Sequence, residues 1–159
     1  MLYGGIDPGK TGAIAVISGD MEIHLLEDWA GDEIQMANVL RKMMGISPNQ
    51  FRFVLEKVSS MPREGVKSAF TFGTNYGTWK GILAAFQISF IEASPQTWQK
   101  GMLSKAADKK PALAAAGRLF PTAELYGPRG GGKDGRADAL LIAEYSRRIF
   151  SNKIERSTR

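Results

Sequence analysis

Residues 2–17 read LYGGIDPGKTGAIAVI, and this stretch decides the fold that the sequence predicts. Two apolar runs, 2–6 and 13–17, are separated by a glycine-containing turn that begins at Asp7 and ends at Gly12. Two such strands around a turn predict a β-hairpin. Asp7 then stands where the first strand ends, so we expect its carboxylate at the edge of a sheet, where glycines let a backbone or a phosphate approach closely.

Strand and helix periodicities alternate along the rest of the chain. The predicted strands are 22–26, 51–55 and 88–92, and the predicted helices are 32–44, 66–86, 95–102, 108–120 and 136–150, with a flexible loop over 126–135. Three antiparallel strands joined by helical crossovers to two parallel strands make a mixed five-stranded α/β sheet flanked by helices. We expect one domain over residues 1–150 and a flexible basic tail over 151–159.

The composition favours a globular protein with an acidic partner. Of 159 residues, 43% are hydrophobic and 23% are charged, which is ordinary for a domain that buries its own core. The 21 Lys and Arg residues outnumber the 16 Asp and Glu residues. The resulting net charge of +5 favours a partner such as nucleic acid.

Several kinds of site are excluded by residues that the sequence lacks. It has no cysteine, which excludes disulfides, thiolate zinc sites and thiol nucleophiles, and its single histidine, His24, argues against a histidine-based metal site. No apolar run reaches the roughly 20 residues that a membrane span needs, and the first residues do not resemble a signal peptide. We therefore expect a cytoplasmic protein, in the host cytoplasm if a phage encodes it, with no membrane partner.

Four acidic residues are placed to converge at one edge of the predicted sheet. Asp7 and Glu56 each follow an apolar strand. Asp134 and Asp138 are one turn apart at the start of the last helix, and steps of about 100° per residue put both on its core-facing side. Ordinary alternatives exist: Asp7 as a turn residue bonded to its own backbone, Glu56 as an exposed strand end and Asp134 as a helix cap. Capping suits Asp138 less well because apolar residues surround it.

A cluster of these four acids would repel itself unless cations neutralised it. Ligands that offer only oxygen suit Mg²⁺ or Mn²⁺. Two such ions about 3.5 to 4 Å apart activate a water and stabilise both the attacking and the leaving oxygen at a phosphodiester. The sequence therefore predicts that the four acids bind two Mg²⁺ ions, with Mn²⁺ as a substitute, and hydrolyse phosphodiesters.

Three motifs resemble those of the RuvC-type Holliday junction resolvases, in the same order and at similar separations. Segment 5–12, GIDPGKTG, resembles the opening acidic motif of the family. Segment 54–58, VLEKV, is similar to the second acidic strand, and segment 135–143, GRADALLIA, to the closing acidic helix. The resemblance covers residues 2–150. It implies an RNase H-like fold, magnesium as the metal, and a homodimer that cuts four-way DNA junctions.

The last motif departs from the family pattern in its spacing. The cellular enzymes that it resembles have two acids three residues apart, whereas Asp134 and Asp138 are four apart. The resemblance therefore implies the final metal-ligand role for Asp138 and a supporting role for Asp134. Met61 lies in the loop after the second acid, where family members present an apolar residue that opens the junction. The short chain is also similar to phage-encoded relatives.

Basic residues near these acids are candidates for contacts to DNA phosphates. Lys10 and Lys57 stand close to Asp7 and Glu56. Further candidates precede a predicted helix or flank the glycine-rich loop: Lys105, Lys109, Lys110, Arg129 and Lys133. Such contacts would be independent of DNA sequence and sensitive to salt. The alternative for each of these charges is an ordinary solvated surface.

Two groups of residues are predicted to be structural. Trp79 and Trp98 occur at helical spacing among apolar residues, which favours core packing over stacking on bases. Three glycines of the helix over 66–86 are spaced four apart, at Gly73, Gly77 and Gly81. Because they share one face of the helix, the spacing predicts that a neighbour packs closely there.

Other functions fit part of this pattern. The turn from Asp7 to Thr11 also matches the phosphate-binding turn of sugar kinases and actin-like ATPases, but those proteins need two lobes and this length suits one. A non-catalytic junction-binding protein would gain nothing from acids that face a phosphate. Among nucleases, a broader flap or branched-DNA endonuclease is the main alternative. We predict a Mg²⁺-dependent endonuclease that resolves four-way junctions by attack of a metal-activated water.

Overall fold

A mixed five-stranded sheet forms the centre of the computed structural model, which describes residues 1–43, 45, 48–57, 65–103 and 110–157, with side chains up to residue 151. The strands are β1 (Leu2–Asp7), β2 (Ala13–Ser18), β3 (Ile23–Asp28), β4 (Phe51–Glu56) and β5 (Phe90–Ala93), in the order β3-β2-β1-β4-β5. β2 is antiparallel to β1 and β3, whereas β4 is parallel to β1 and β5. The predicted arrangement of three antiparallel and two parallel strands is confirmed.

Five α-helices flank the sheet in the described part of the chain: α1 (Glu33–Arg41), α2 (Val66–Ala85), α3 (Pro95–Met102), α4 (Pro111–Leu119) and α5 (Asp134–Ser157). α3 begins as predicted, with Ser94 Oγ accepting a hydrogen bond from the Thr97 backbone N at 3.3 Å. α1 is shorter than predicted, and α5 continues past the predicted end at residue 150. None of these helices is both long and apolar enough to cross a bilayer.

The sheet separates two layers of core because the side chains of a strand alternate between its faces. Tyr3 and Ala15 lie in the layer formed with α3, α4 and α5, whereas Ile6 lies in the layer formed with α1 and α2. Trp98 belongs to the first layer and Trp79 to the second. Both indoles are fully buried, which confirms the prediction that they pack in the core.

Close contact between β1 and α5 sets the position of the last helix. A Cβ atom on Gly5 would collide with the backbone of Ala139 and Ala143, so only glycine lets the helix lie directly on the strand. A Cβ atom on Gly135 would collide with the carbonyl oxygen of Thr11. The two glycines therefore bring the first turns of α5 against β1 and the turn that follows it.

The loop predicted for residues 126–135 ends where α5 begins at Asp134, and its residues 126–132 form a short turn closed by one bridge, which we call the glycine hairpin. Tyr126 pairs with Gly132 across this glycine hairpin. Gly130 has a φ of +74°, a left-handed conformation that glycine adopts without strain. Glycine-rich composition indicated a loop, but here the glycines allow the backbone to fold back on itself.

One face of α2 packs against no described part of the chain. Its three glycines lie on this face, and a Cβ atom on any of them would meet no described atom within 4 Å: Gly73, Gly77 and Gly81. Asn75, Trp79 and Leu83 are buried on the opposite side. The close neighbour that the glycine spacing predicts is therefore not in the described part of this chain.

Candidate active site

Three acidic residues lie near one another at one end of the sheet. β1 and β4 run in parallel register with Ile6 opposite Leu55, so Asp7 and Glu56 are the next residues on neighbouring strands. Asp138 lies on α5, which packs on β1, and the charges of Asp7 and Glu56 act on it directly. The structure thus brings together three of the four predicted acids, which we call the acidic cluster: Asp7, Glu56 and Asp138.

Burial raises the pKa of every acid in the cluster, and the charges of neighbouring acids raise it further for Glu56 and Asp138. Burial raises the pKa of Glu56 to about 7, a hydrogen bond from Trp98 opposes this rise, and the charge of Asp7 adds to it. The pKa of Asp138 also rises to about 7, first through burial and then through the charges of Asp7, Glu56 and Asp134. Burial raises the pKa of Asp7 against the backbone N–H of Gly9. Carboxyl groups perturbed in this way are typical of functional sites.

Two acids of the cluster are oriented by hydrogen bonds from the protein. Trp98 Nε1 donates to Glu56 Oε1 at 2.9 Å, and the Gly9 backbone N donates to Asp7 Oδ1 at 2.8 Å. The second bond is the local turn contact that the ordinary alternative for Asp7 predicts, and it coexists with membership of the cluster. Both carboxylates are therefore oriented without a ligand.

Asp134 lies at the margin of the cluster. Its side chain is 62% exposed and pairs with Lys110 Nζ at 3.3 Å, so the prediction that it points to the core beside Asp138 is wrong. Asp134 is the first residue of α5, and at this end of the helix its side chain lies in solvent beside Lys110. Its charge nevertheless raises the pKa of Asp138. Asp134 is thus near enough to influence the cluster without being enclosed in it.

The chemistry of the acidic cluster fits a divalent cation. Its donors are carboxylate oxygens, which Mg²⁺ prefers, and the single histidine, His24, is exposed on β3. Among the described residues, no three acidic or histidine side chains surround a common point where one ion could bind. The side chains of Asp7, Glu56 and Asp138 would therefore have to rotate to bind one ion together. A bound cation would also relieve the repulsion among these buried carboxylates.

Three of the basic residues predicted to contact DNA are exposed and form no ion pair with the described residues. Lys10 lies in the turn that follows Asp7, and Lys57 directly follows Glu56. Arg129 lies in the glycine hairpin, which precedes α5. Their positions leave the cationic groups open to a ligand that approaches the acidic cluster. A role in DNA binding stays a prediction for each of them.

Other predicted contacts to DNA are engaged within the protein or lie outside the described residues. Lys110 pairs with Asp134 at 3.3 Å, and Lys133 pairs with Asp28 at 3.0 Å. These ion pairs hold the two lysines at the start of α5 and beside β3. Three candidates fall outside the described residues: Met61, Lys105 and Lys109.

Trp98 belongs to the site although its sequence pattern indicated only a core residue. The pattern was correct about burial and gave no indication of a polar partner. A buried indole N–H usually has a hydrogen-bond acceptor, which is the one signal that could have directed attention to it. That acceptor, Glu56, could not be identified from residues near Trp98 in the sequence.

The chain resembles solved structures more clearly than it resembles known sequences. No protein-family model and no curated protein sequence matches it. Thermus thermophilus RuvC in complex with a Holliday junction substrate superposes with a TM-score of 0.67 at 15% identity, over 96% of each chain. Thermus thermophilus RuvC in a second structure has a TM-score of 0.63 at 17% identity, over 98% of this chain and 97% of that one.

A eukaryotic resolvase has a similar structure. The yeast mitochondrial Holliday junction resolvase Ydc2 has a TM-score of 0.59 at 15% identity, over 93% of this chain and 79% of that one. At identities this low the TM-scores establish the fold alone, which is the RNase H-like fold of the RuvC-type resolvases. The predicted fold class is therefore confirmed.

Proposed function

We propose that the protein is a Mg²⁺-dependent endonuclease that resolves four-way DNA junctions. The observation that carries the proposal is the acidic cluster of Asp7, Glu56 and Asp138 at the strand ends of a RuvC-type fold. One structure with this fold holds a Holliday junction substrate, which supports branched DNA as the ligand. Because three acids belong to the cluster, the rest of the chain carries more positive charge than the net value of +5 indicates, which suits contacts to phosphates on either side of the cut.

The proposed reaction is hydrolysis of a phosphodiester. The oxygen of a water forms a bond to phosphorus, the bond from phosphorus to the leaving oxygen breaks, and the protons of the water pass to the leaving oxygen and the solvent. Two bound Mg²⁺ ions, or Mn²⁺ as a substitute, would activate the water and stabilise the attacking and leaving oxygens. Asp7, Glu56 and Asp138 are the proposed ligands. The hydrogen bond from Trp98 would fix the orientation of the Glu56 carboxylate.

Asp134 has a supporting role in this proposal. Its ion pair with Lys110 holds it at the first turn of α5, and its charge acts on Asp138. A carboxylate at this position would orient water or a ligand at the edge of the site rather than enclose it. This assignment keeps the order of importance that the family resemblance implied for the two acids of α5.

The proposed enzyme acts as a homodimer because a four-way junction is resolved by two cuts. The free face of α2 supports this arrangement: Val66 is 87% exposed and Phe70 is 76% exposed, on the same side as the glycines. Steps of 100° per residue put these side chains opposite the buried side of the helix. Glycines allow close approach of a second helix, and a second copy of the chain would supply the second acidic cluster.

Cleavage of defined DNA structures tests the proposal. A synthetic four-way junction is compared with linear duplex, flap and single-stranded DNA in Mg²⁺ and in EDTA. Asp7→Asn should abolish cleavage and keep or tighten junction binding, because it removes a negative charge from a phosphate site. Asp20→Asn, which changes an exposed acid in the turn at the far end of β2, is the matched control and should cut normally.

Each result of this experiment separates one interpretation from the others. Paired symmetric nicks confined to the junction support the proposal. Comparable cutting of flaps would instead favour a broader branched-DNA endonuclease with the same acidic cluster. Absence of metal-dependent cutting by folded protein that still binds the junction would favour a non-catalytic junction-binding protein.

A further inference from the structure

A cleft beside the acidic cluster is lined by residues from three parts of the fold. Its volume is about 470 Å³, and it lies between the turn after β1, the end of β3 and the start of α5. We call it the Trp29 cleft; the lining residues that matter here are Lys10, Asp28, Trp29, Gly132, Lys133 and Asp134. A volume of this size accommodates a small organic ligand, and roughly 300–1,000 Å³ is usual for such sites.

Trp29 is fixed in place at one side of the cleft. Its backbone N donates to the Gly12 carbonyl oxygen at 2.8 Å, which joins the end of β3 to the turn that follows Asp7. Its ring lies against Trp79 with 5.7 Å between ring centroids and 55° between ring planes, and Trp79 is fully buried. Trp29 is half-buried, so it is anchored against Trp79 in the core and is also one of the residues that line the cleft.

The charges around the cleft favour an anionic ligand. Asp28, the acid nearest Trp29 in the sequence, is neutralised by Arg136 Nε at 2.6 Å and by Lys133 Nζ at 3.0 Å. Asp134 is likewise paired with Lys110. Lys10 is exposed and forms no ion pair with the described residues. The cleft therefore combines an aromatic residue with a lysine that has no ion-pair partner among the described residues.

We propose that the Trp29 cleft holds one unpaired nucleotide of the bound DNA, with its base against Trp29 and a phosphate at Lys10. This inference rests on the proposed function and identifies a part of the substrate that the acidic cluster alone does not specify. The cleft includes Lys10 and Asp134, which adjoin Asp7 and the acidic helix, so the nucleotide lies next to the phosphate that is cut.

The aromatic surface determines that the nucleotide is unpaired. A base inside a duplex has both faces covered by its neighbours and presents only its edges in the grooves. An indole that receives a base needs a free π-face, which single-stranded and splayed-out nucleotides provide. Strand exchange at a four-way junction is a place where bases leave the regular stack, whereas linear duplex offers no such face.

Binding measurements in EDTA test the proposal without cleavage of the DNA. Trp29→Leu keeps an apolar contact with Trp79 and removes the aromatic face, and it should raise the Kd for a four-way junction about tenfold, equivalent to about 1.4 kcal/mol. Trp29→Phe should restore binding to within about threefold. Phe86→Leu is the matched control, because Phe86 is a half-buried aromatic residue of the same core layer, and it should leave the Kd unchanged.

Two further readouts are specific to an unpaired nucleotide. Trp29→Leu should leave the Kd for linear duplex unchanged. The fluorescent base 2-aminopurine, placed in turn at each position around the exchange point, should change its emission on binding at one position, and Trp29→Leu should abolish that change. A separate variant tests the phosphate contact: Lys10→Gln should weaken junction binding and lower the slope of log Kd against log salt concentration by about one.

Failure of this inference is distinguishable from failure of the proposed function. If the unmutated protein cuts junctions and Trp29→Leu binds them equally well, the cleft proposal is overturned and the nuclease proposal stands. Equal weakening of junction and duplex binding by Trp29→Leu would also overturn it, because a general loss does not involve an unpaired base. If the folded, unmutated protein neither binds nor cuts junctions, both proposals are overturned.

Discussion

The indole Nε1 of Trp98 lies 2.9 Å from Oε1 of Glu56 and donates a hydrogen bond to it. Trp98 is fully buried on α3, whereas Glu56 ends β4, so the bond joins a core helix to the acidic cluster. It lowers the pKa of Glu56 against the larger effect of burial, which still leaves that pKa at about 7. Trp98 is therefore a positioning residue that also favours the charged form of a proposed metal ligand.

Trp98→Phe should raise the Mg²⁺ concentration needed for cleavage. Without the indole N–H the pKa of Glu56 rises further, so less of the carboxylate is ionised at pH 7 and protons compete better with the metal. We expect about a threefold increase in half-saturating Mg²⁺ at pH 7, with the two proteins converging by pH 9. Trp79→Phe is the control, since Trp79 Nε1 has no hydrogen-bond partner in the described chain. Equal Mg²⁺ requirements for both variants at pH 7 would contradict the assignment.

Asp138→Asn should stabilise the metal-free protein at alkaline pH. Because the pKa of Asp138 rises from 3.8 to about 7 on folding, the folded state binds the proton more tightly and stability falls as pH increases across this interval. The substitution removes this penalty and should add about 1 kcal/mol at pH 8 in EDTA, with little gain at pH 4. Mg²⁺ should raise the Tm of the unmutated protein more than that of the variant. Urea and thermal unfolding measure both effects, and a loss of stability at pH 8 would argue against repulsion in the cluster.

Gly135→Ala should displace the acidic helix from the turn that follows β1. The added methyl group would collide with the carbonyl oxygen of Thr11, and overpacking of this kind costs about 1–3 kcal/mol. Because Asp138 is on the same helix, we expect a lower Tm and a loss of cleavage of at least about tenfold. Gly131→Ala is the matched control, since its methyl group would meet no described atom within 4 Å. Equal activity and Tm for the two variants would show that this contact does not position the site.

Features fixed by neighbouring residues were predictable from the sequence. The β1–β2 hairpin follows from two apolar runs around the turn at Asp7, and the start of α3 follows from Ser94 and Pro95. The meeting of Asp7 and Glu56 was predictable as well, because both follow apolar strands that lie side by side in the sheet. The first two inferences depend on residues that are adjacent in the chain, and the third on two apolar strands that each end at an acid.

Contacts between distant segments were not predictable in the same way. Glu56 accepts its hydrogen bond from a residue 42 positions later, and no local pattern specifies that partner. Helical periodicity placed Asp134 and Asp138 on one face of α5. It could not show that the side chain of Asp134, the first residue of the helix, would be exposed to solvent. The partner of Asp134, Lys110, is 24 positions earlier, where the sequence indicated only a basic surface.

Glu144→Gln should weaken the protein most at neutral pH. Glu144 has a side chain that is 1% exposed, and it accepts from Arg147 Nε at 2.6 Å and Arg148 Nε at 2.7 Å. Burial raises its pKa, but the hydrogen bonds and charges of both arginines lower it by more, so the stabilisation is present above its ordinary pKa of 4.5 and is lost as pH falls. We expect a loss of about 2 kcal/mol in urea unfolding at pH 7 and a smaller loss at pH 3.

A matched substitution isolates the effect of burial on this ion pair. Glu124, the partner of Arg136, is 86% exposed at a distance of 3.5 Å. Glu124→Gln should therefore change stability by less than about 0.5 kcal/mol at either pH. If Glu144→Gln behaved like Glu124→Gln, the buried ion pair would contribute no more than a surface one.

Gly77→Glu should prevent association through the free face of α2. Gly77 is the middle one of the three glycines on this face, and a Cβ atom there meets no described atom within 4 Å, so the monomer has room for the side chain. Two helices that approach at glycines have no room for two carboxylates, and like charges at the contact add repulsion. Sedimentation should give a dimer for the unmutated chain and a monomer for the variant.

The Gly77→Glu variant should also make unpaired nicks in a junction instead of paired ones. Gly19→Glu adds the same charge in open space at the β2–β3 turn, where it should leave the dimer intact. A dimer that survives Gly77→Glu would place the subunit contact on another surface, because the new carboxylates could not be buried there without a counter-charge.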